Sequence, residues 1–266
     1  MTTQSVLFAF GLAILAGLST GIGSAVAFFT RKTNMKVLAG GLGFSAGVMI
    51  YIALGDLLPE ARDSLADVMG PFRGGALALG AFLAGVAVTA LVDKLVPSFE
   101  NPHEVHKVEE MGHRPKRLMR LGVFTALAMG VHNLPEGLAT FVAALKEPTI
   151  GVSIALAIAL HNIPEGISVS VPIYYATGNR SKAFWYSFLT GLVEPVGALL
   201  GFALLSCCPS PAFFGFVFAF VAGIMVFISF DELLPAAHEY GEHHVAVYAL
   251  ISGMAAMAGG LLLVHG

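Results

Sequence analysis

The stretch ALAMGVHNLPEG at residues 126–137 returns as ALAIALHNIPEG at residues 155–166, identical at eight of twelve positions. Each copy lies inside a long apolar run, so each places a histidine, an asparagine and a glutamate where ionisable groups are expensive and mark function. On a helix His132 and Glu136 are four residues apart and Asn133 and Glu136 three apart, so the three side chains share one face, as do His161, Asn162 and Glu165. Pro135 and Pro164 each remove a helical hydrogen bond and displace the carbonyls of Val131 and Leu160, which predicts a bend in each helix. Gly137 and Gly166 follow the glutamates and admit a close neighbouring helix. The separation of 29 residues makes the two helices consecutive antiparallel neighbours, turning near Lys146 to Pro148, so their polar faces meet. A lone buried histidine is ordinarily a satisfied core residue; two copies of the whole set in adjacent helices read as one ligand set.

The 266 residues are 56% hydrophobic and only 12% charged, against about 25% charged in an ordinary soluble domain. Eight apolar stretches, near 5–29, 37–58, 74–95, 120–145, 150–173, 184–206, 212–235 and 246–264, each reach the roughly 17 to 25 residues that cross a bilayer as a helix. The fold expected is an all-α polytopic membrane protein forming one domain over residues 1–266. The first stretch is too long for a signal-peptide core and no basic residue precedes it, so it reads as an uncleaved span. With the N-terminus outside, Arg31, Lys32, Lys36, Lys94, Lys107, Arg114, Lys116, Arg117, Arg120, Arg180 and Lys182 face the cytoplasm, 11 of the 14 basic residues. Only Arg62, Arg73 and Lys146 stay outside. The positive-inside rule therefore puts both termini outside the cytoplasmic membrane. A net charge of −3 with no basic patch gives no sign of a nucleic-acid partner. Cys207 and Cys208, side by side in one loop, make neither a disulfide framework nor a cysteine metal site.

A second repeat links residues 46–61, AGVMIYIALGDLLPEA, with residues 222–237, AGIMVFISFDELLPAA, again identical at eight positions. Because five spans separate the copies, they run in opposite directions through the membrane. Gly17, Leu18 and Gly23 of the first span align more weakly on Gly191, Leu192 and Gly197 of the sixth. Spans one to three and six to eight thus read as inverted halves around the motif-bearing pair, an arrangement of secondary transporters with a site near the midplane. In the first span Ser19, Thr20 and the glycines form a small-residue face that serves packing, with Thr20 also a candidate to face a pathway.

Asp56 and Glu60, with Asp63 and Asp67, group at the outer end, and Asp231, Glu232 and His238 at the inner end. Either they are solvated loop charges or they draw cations in and receive them. The polar loop from Pro97 to Lys116 carries His103, His106 and His113, and reads as a tether or as a transient metal-binding segment. Glu194, followed by Pro195 and Gly197, adds a third carboxylate at membrane depth. No span carries an Arg or Lys near its middle to pair with Glu136, Glu165 or Glu194, so protons or bound cations must neutralise them. Two imidazoles with carboxylate and amide oxygens suit Zn²⁺, Fe²⁺, Mn²⁺ or Co²⁺; Na⁺ or K⁺ would call for oxygens alone and Cu(I) for more sulfur. The inventory suffices for two ions, one mainly on His132 and His161, the other mainly on Asn133, Asn162 and Glu194.

The doubled H-N-x-P-E-G motif, the Glu194-Pro195 of the sixth span, the eight spans with outward termini and the histidine-bearing third loop resemble the ZIP family of zinc and iron permeases, its bacterial ZupT-type branch above all. The resemblance covers essentially the whole chain. It implies an eight-helix bundle arranged 3+2+3 that imports divalent metal into the cytoplasm through a binuclear site. It puts a first metal site on His132, Glu136, His161 and Glu165 with Met49 as a softer ligand, although Met225, its repeat mate, has the same claim. It puts a second on Asn133, Glu136, Asn162, Glu165 and Glu194. Zn²⁺ is the implied substrate, with Fe²⁺, Mn²⁺, Co²⁺ or Cd²⁺ as further candidates and no organic cofactor. Divalent metal ions and the bilayer are the expected partners, with a homodimer among the assemblies allowed. An intramembrane metalloenzyme is the rival class, but neither H-E-x-x-H nor the di-iron E-x-x-H pattern occurs in these helices. A sensor that binds metal without moving it is the other.

Overall fold

Prolines and glycines decide where the helices of this chain begin, end and change pitch. The computed structural model describes residues 2–29, 35–95, 115–207, 210–240 and 243–265. Its helices are α1 (Thr3–Phe29), α2 (Met35–Ile52), α3 (Leu58–Met69), α4 (Pro71–Leu95), α5 (Pro115–Lys146), α6 (Pro148–Thr177), α7 (Arg180–Gly191), α8 (Val193–Cys207), α9 (Pro211–Ile228), α10 (Leu234–Tyr240) and α11 (His243–His265), and no strand occurs among the described residues. Pro71, Pro148 and Pro211 open their helices at the first position, where a missing N–H costs nothing. Ser210 and Asn179 cap α9 and α7 by accepting from the Phe213 and Lys182 amides. Gly70 and Gly178 carry the positive φ angles, 84° and 65°, that end α3 and α6.

Among the described residues, seven segments are long and apolar enough to cross a membrane. Between the third and fourth of them stands α5, 32 residues long, about 48 Å at 1.5 Å per residue. The molecule is therefore an all-α polytopic membrane protein. Three expectations are refined by the structure. The second span does not stop at residue 58: α2 passes through a π-helical turn, Ala53–Leu57, into α3 and ends at Met69. The seventh does the same through Ser229–Leu233 into α10. Each π turn precedes a proline, Pro59 or Pro235, whose ring excludes the carbonyl four residues back; the Leu58 and Leu234 amides bond five residues back, to Ala53 and Ser229. The sixth span breaks at Leu192, where Pro195 cannot donate to the Gly191 carbonyl. By contrast, α5 and α6 run on as single helices through Pro135 and Pro164.

The contacts obey the inverted repeat. α1 packs on α6 as α8 packs on α5, and α2 packs on α11 as α9 packs on α4. Glycine sets the distance in each case. A Cβ on Gly47 or Gly253 would overlap the carbonyl of Leu250 or Phe44, and a Cβ on Gly223 or Gly85 would overlap that of Phe82 or Phe220. Those pairs are the same contact made twice, once in each half. At the centre of the repeat Gly17 and Gly191 touch backbone to backbone.

Two blocks result. One holds α1 and α5 to α8, with the Phe10 and Phe141 rings tilted against each other 4.8 Å apart and Phe202 edge-on to Phe141. The other holds α2 to α4 and α9 to α11. Where α2 meets α6 the blocks are packed, and the Pro164 ring lies against Gly41. Where α9 faces α5 their contact is sparser, and an open apolar cavity of about 650 Å³ between α4, α5, α8 and α9 has Pro135 and Val217 in its wall.

Candidate metal site

The faces of α5 and α6 that carry the repeated motif meet in the interior of the first block. His132, Asn133, Glu136, His161, Asn162, Glu165 and Glu194 are all buried, none more than 3% exposed. Such burial of charge-bearing groups persists only where each finds a counter-charge or a ligand.

Glu136 Oε1 lies between the two imidazoles, 3.0 Å from His132 Nε2 in its own turn and 3.1 Å from His161 Nε2 across the helix pair. Glu165 Oε1 lies 3.6 Å from His132 Nε2. One ligand atom each from His132, His161 and Glu165 falls within 4.8 Å of the others. An inward shift of less than about 1 Å by each would bring all three to the roughly 2.0 to 2.2 Å bonds of a transition ion. Glu136 Oε2 and both Glu165 oxygens have no hydrogen-bond partner among the described residues, nor does Nδ1 of either histidine. The ion-pair partners of Glu136 and Glu165 among the described residues are His132 and His161.

The asparagines are held by main chain. Asn133 Nδ2 donates to the Thr190 carbonyl at 2.9 Å and Asn162 Nδ2 to the Ala16 carbonyl at 3.0 Å. These acceptors are repeat mates, so the two bonds are one contact made twice. Spending the NH₂ on a carbonyl turns each Oδ1 the other way, and both Oδ1 atoms are buried without a partner. Asn162 Nδ2 also donates to Glu194 Oε1 at 2.5 Å, which ties the third carboxylate to the cluster. α1 and α8 reach this depth because the motif glycines allow it: a Cβ on Gly137 would overlap the Glu194 carbonyl, and one on Gly166 that of Thr20. Sequence reading missed these carbonyl anchors; the one available signal was the alignment of the first span on the sixth.

Met49 is fully buried in α2 within the apolar core, where Met225 of α9 is buried as well. At the ends of the spans, Asp56 and Glu232 occupy matched places in the two π turns, and Glu232 is buried while Asp56 is half-buried. Asp231 borders a smaller cavity with Val86, Val226, Phe227 and Phe230. Glu60 is half-buried and paired: Lys146 at the end of α5 forms an ion pair with it and bonds Ser64 Oγ. His238 lies in the last turn of α10. His103, His106 and His113 lie outside the described residues.

The comparisons with known proteins agree with one another. The family model described as ZIP Zinc transporter matches residues 95–263. A protein of Chlorobium chlorochromatii named zinc transporter ZupT is 56% identical over 265 residues, covering 98% of this chain and 99% of its own. Proteins of the same name from Streptococcus mutans, 55% identical over 261 residues with 98% and 99% covered, and Clostridium perfringens, 54% identical over 276 residues with 98% and 97% covered, match along the same length. This chain belongs to the ZIP zinc transporter family.

Proposed function

We propose that this chain carries Zn²⁺ across the membrane into the cytoplasm, together with Fe²⁺, Mn²⁺, Co²⁺ or Cd²⁺ where these fit, through two adjacent ion positions built by the doubled motif. The observation that carries the reading is the mutual approach of His132, His161 and Glu165 to within 4.8 Å in a fully buried setting. His132, Glu136, His161 and Glu165 hold the first ion, with Met49 as a softer ligand from the second block. Asn133, Asn162 and Glu194 hold the second, and Glu136 and Glu165 bridge. The relatives' printed name supports zinc as the substrate.

Transport rather than storage follows from the two blocks. The histidine, asparagine and glutamate ligands belong to the first block, and its contact with the second is extensive on the α2 side and sparse on the α9 side. Movement of one block against the other exposes the site to the two sides of the membrane in turn. Asp56 and Glu60 stand at the outer entrance and Asp231, Glu232 and His238 at the inner exit, while the loop with His103, His106 and His113 receives ions on the cytoplasmic side. The excess of cytoplasmic basic residues supports this orientation, in the cytoplasmic membrane with both termini outside.

Purified protein in liposomes loaded with a metal-sensitive dye tests the reading. Saturable Zn²⁺ uptake is expected, and His132→Ala and Glu165→Ala each abolish it. Binding without flux would make the protein a sensor. Because the ion needs neutral imidazole and ionised carboxylate, protons compete with it. Uptake at low zinc should fall at least about tenfold from pH 7 to pH 5, a range that spans the ordinary histidine pKa; a flat profile would remove imidazole from the site.

A further inference from the structure

Thr20 of α1 holds the place that the inverted repeat gives to Glu194 in α8. The match is one of contacts. Asn162 donates to the Ala16 carbonyl as Asn133 donates to that of Thr190. A Cβ on Gly23 would overlap the Ile163 carbonyl as one on Gly197 would overlap that of Leu134, and Gly166 faces the Thr20 carbonyl as Gly137 faces that of Glu194. The backbone surroundings of positions 20 and 194 are therefore alike, and only their side chains differ.

Glu194 reaches Asn162 directly. On the other side of the two-fold the corresponding pair is Thr20 with Asn133. Thr20 is 1% exposed, its Oγ1 has no hydrogen-bond partner, and Asn133 Oδ1 has none either. A helical threonine ordinarily bonds the carbonyl one turn back. Here that carbonyl, Ala16, accepts from Ser19 Oγ and Asn162 Nδ2, and Thr20 Oγ1 faces Gly191 instead. Two buried oxygens without partners, at the places the repeat makes equivalent to the Glu194 and Asn162 pair, are costly unless a cation or a hydrogen-bond donor meets them.

We propose that Thr20 is a further ligand for the transported divalent cation, the neutral counterpart of Glu194, and that with Asn133 it makes the two flanks of the site unequal in charge. The ion meets a carboxylate and an amide against α8, and a hydroxyl and an amide against α1. The weaker flank lets it leave. This rests on the transport reading above.

The test is Zn²⁺ uptake by the full chain in liposomes for Thr20→Val, Thr20→Ser and His132→Ala, with the thermal midpoint of metal-free protein as a control for folding. Thr20→Val keeps the shape and removes the oxygen, and is expected to raise KM about five- to tenfold, the size of one lost polar contact. Thr20→Ser restores the oxygen and should bring KM back toward wild type. An unchanged KM in Thr20→Val, or equal losses in Val and Ser, would overturn the proposal. Should Thr20→Val fail to fold, Thr20→Glu against Thr20→Gln decides: tighter Zn²⁺ binding with slower uptake in Glu alone supports it, and equal behaviour overturns it. Absence of saturable uptake in the wild-type chain would instead defeat the transport reading, and unchanged uptake in His132→Ala its placement at the doubled motif, so those failures are distinct from this one.

Discussion

Pro164 and Pro135 hold the same place in the two copies of the motif and meet different surroundings. Pro164 of α6 lies against Gly41 of α2, and the blocks are packed there. Pro135 of α5 faces Val217 of α9, the repeat mate of Gly41, across the 650 Å³ cavity. Within the first block the symmetry is close: the same glycine contacts and the same asparagine anchors appear on both sides of the two-fold. Between the blocks it is lost. The buried histidine, asparagine and glutamate cluster is thus nearly symmetric in its helix contacts, and the difference between the two sides lies where that unit meets the rest of the molecule. On the transport proposed above, the second state would have the packed and open sides exchanged.

The strongest way to break the comparison is to fix the open side shut. With Cys207 and Cys208 replaced by serine, a cysteine pair at Leu134 and Val217, both in the cavity wall, should form a disulfide only when the blocks close there. Oxidation is then expected to bring Zn²⁺ uptake down to that of empty liposomes, and reduction to restore it. Uptake that continues in the oxidised protein would mean that α9 and α5 do not move against each other.

A smaller effect sharpens the symmetric half of the comparison. Gly23→Ala and Gly197→Ala drive a methyl into equivalent carbonyls, those of Ile163 and Leu134, and overpacking of this kind costs about 1–3 kcal/mol. Equal losses are expected on denaturant unfolding. A loss in one variant only would show that the two flanks of the motif pair are built differently.

The smallest effect concerns the ion pair of Lys146 with Glu60, which ties α5 of the first block to α3 of the second. Both side chains are about a third exposed, so the pair is worth about 0–1 kcal/mol. Lys146→Met should change the uptake rate by no more than about fivefold, and less still in high salt, where the pair is screened. A complete loss of uptake would give Lys146 a role in the ion path that its position at the end of α5 does not suggest.

Much of this architecture is legible in the order of the residues. Apolar length fixes the membrane helices, and the spacing of His132, Asn133 and Glu136 puts them on one face in each copy, because helical periodicity depends on little else. The L-L-P sequences before Glu60 and Ala236 are visible as a repeat, yet their outcome, a π turn instead of a kink, depends on which carbonyl accepts the next amide. The carbonyl anchors of Asn133 and Asn162 are not legible, since backbone acceptors leave no mark on residue identity. Nor is the pairing of α4 with α9: Gly85 and Gly253 are related, but single glycines in spans rich in glycine carry little signal. The cavity leaves no trace because like sequences flank both the open and the closed side.

The most direct measurement is X-ray absorption at the zinc edge on protein carrying one equivalent of Zn²⁺, for wild type and for the double variant His132→Ala, His161→Ala. A first shell of nitrogen and oxygen with one sulfur from Met49, and the outer-shell scattering of imidazole, is expected in wild type, and the imidazole signal disappears in the double variant. The same imidazole signal in both proteins would contradict the account, since zinc would then be held by histidines outside the doubled motif.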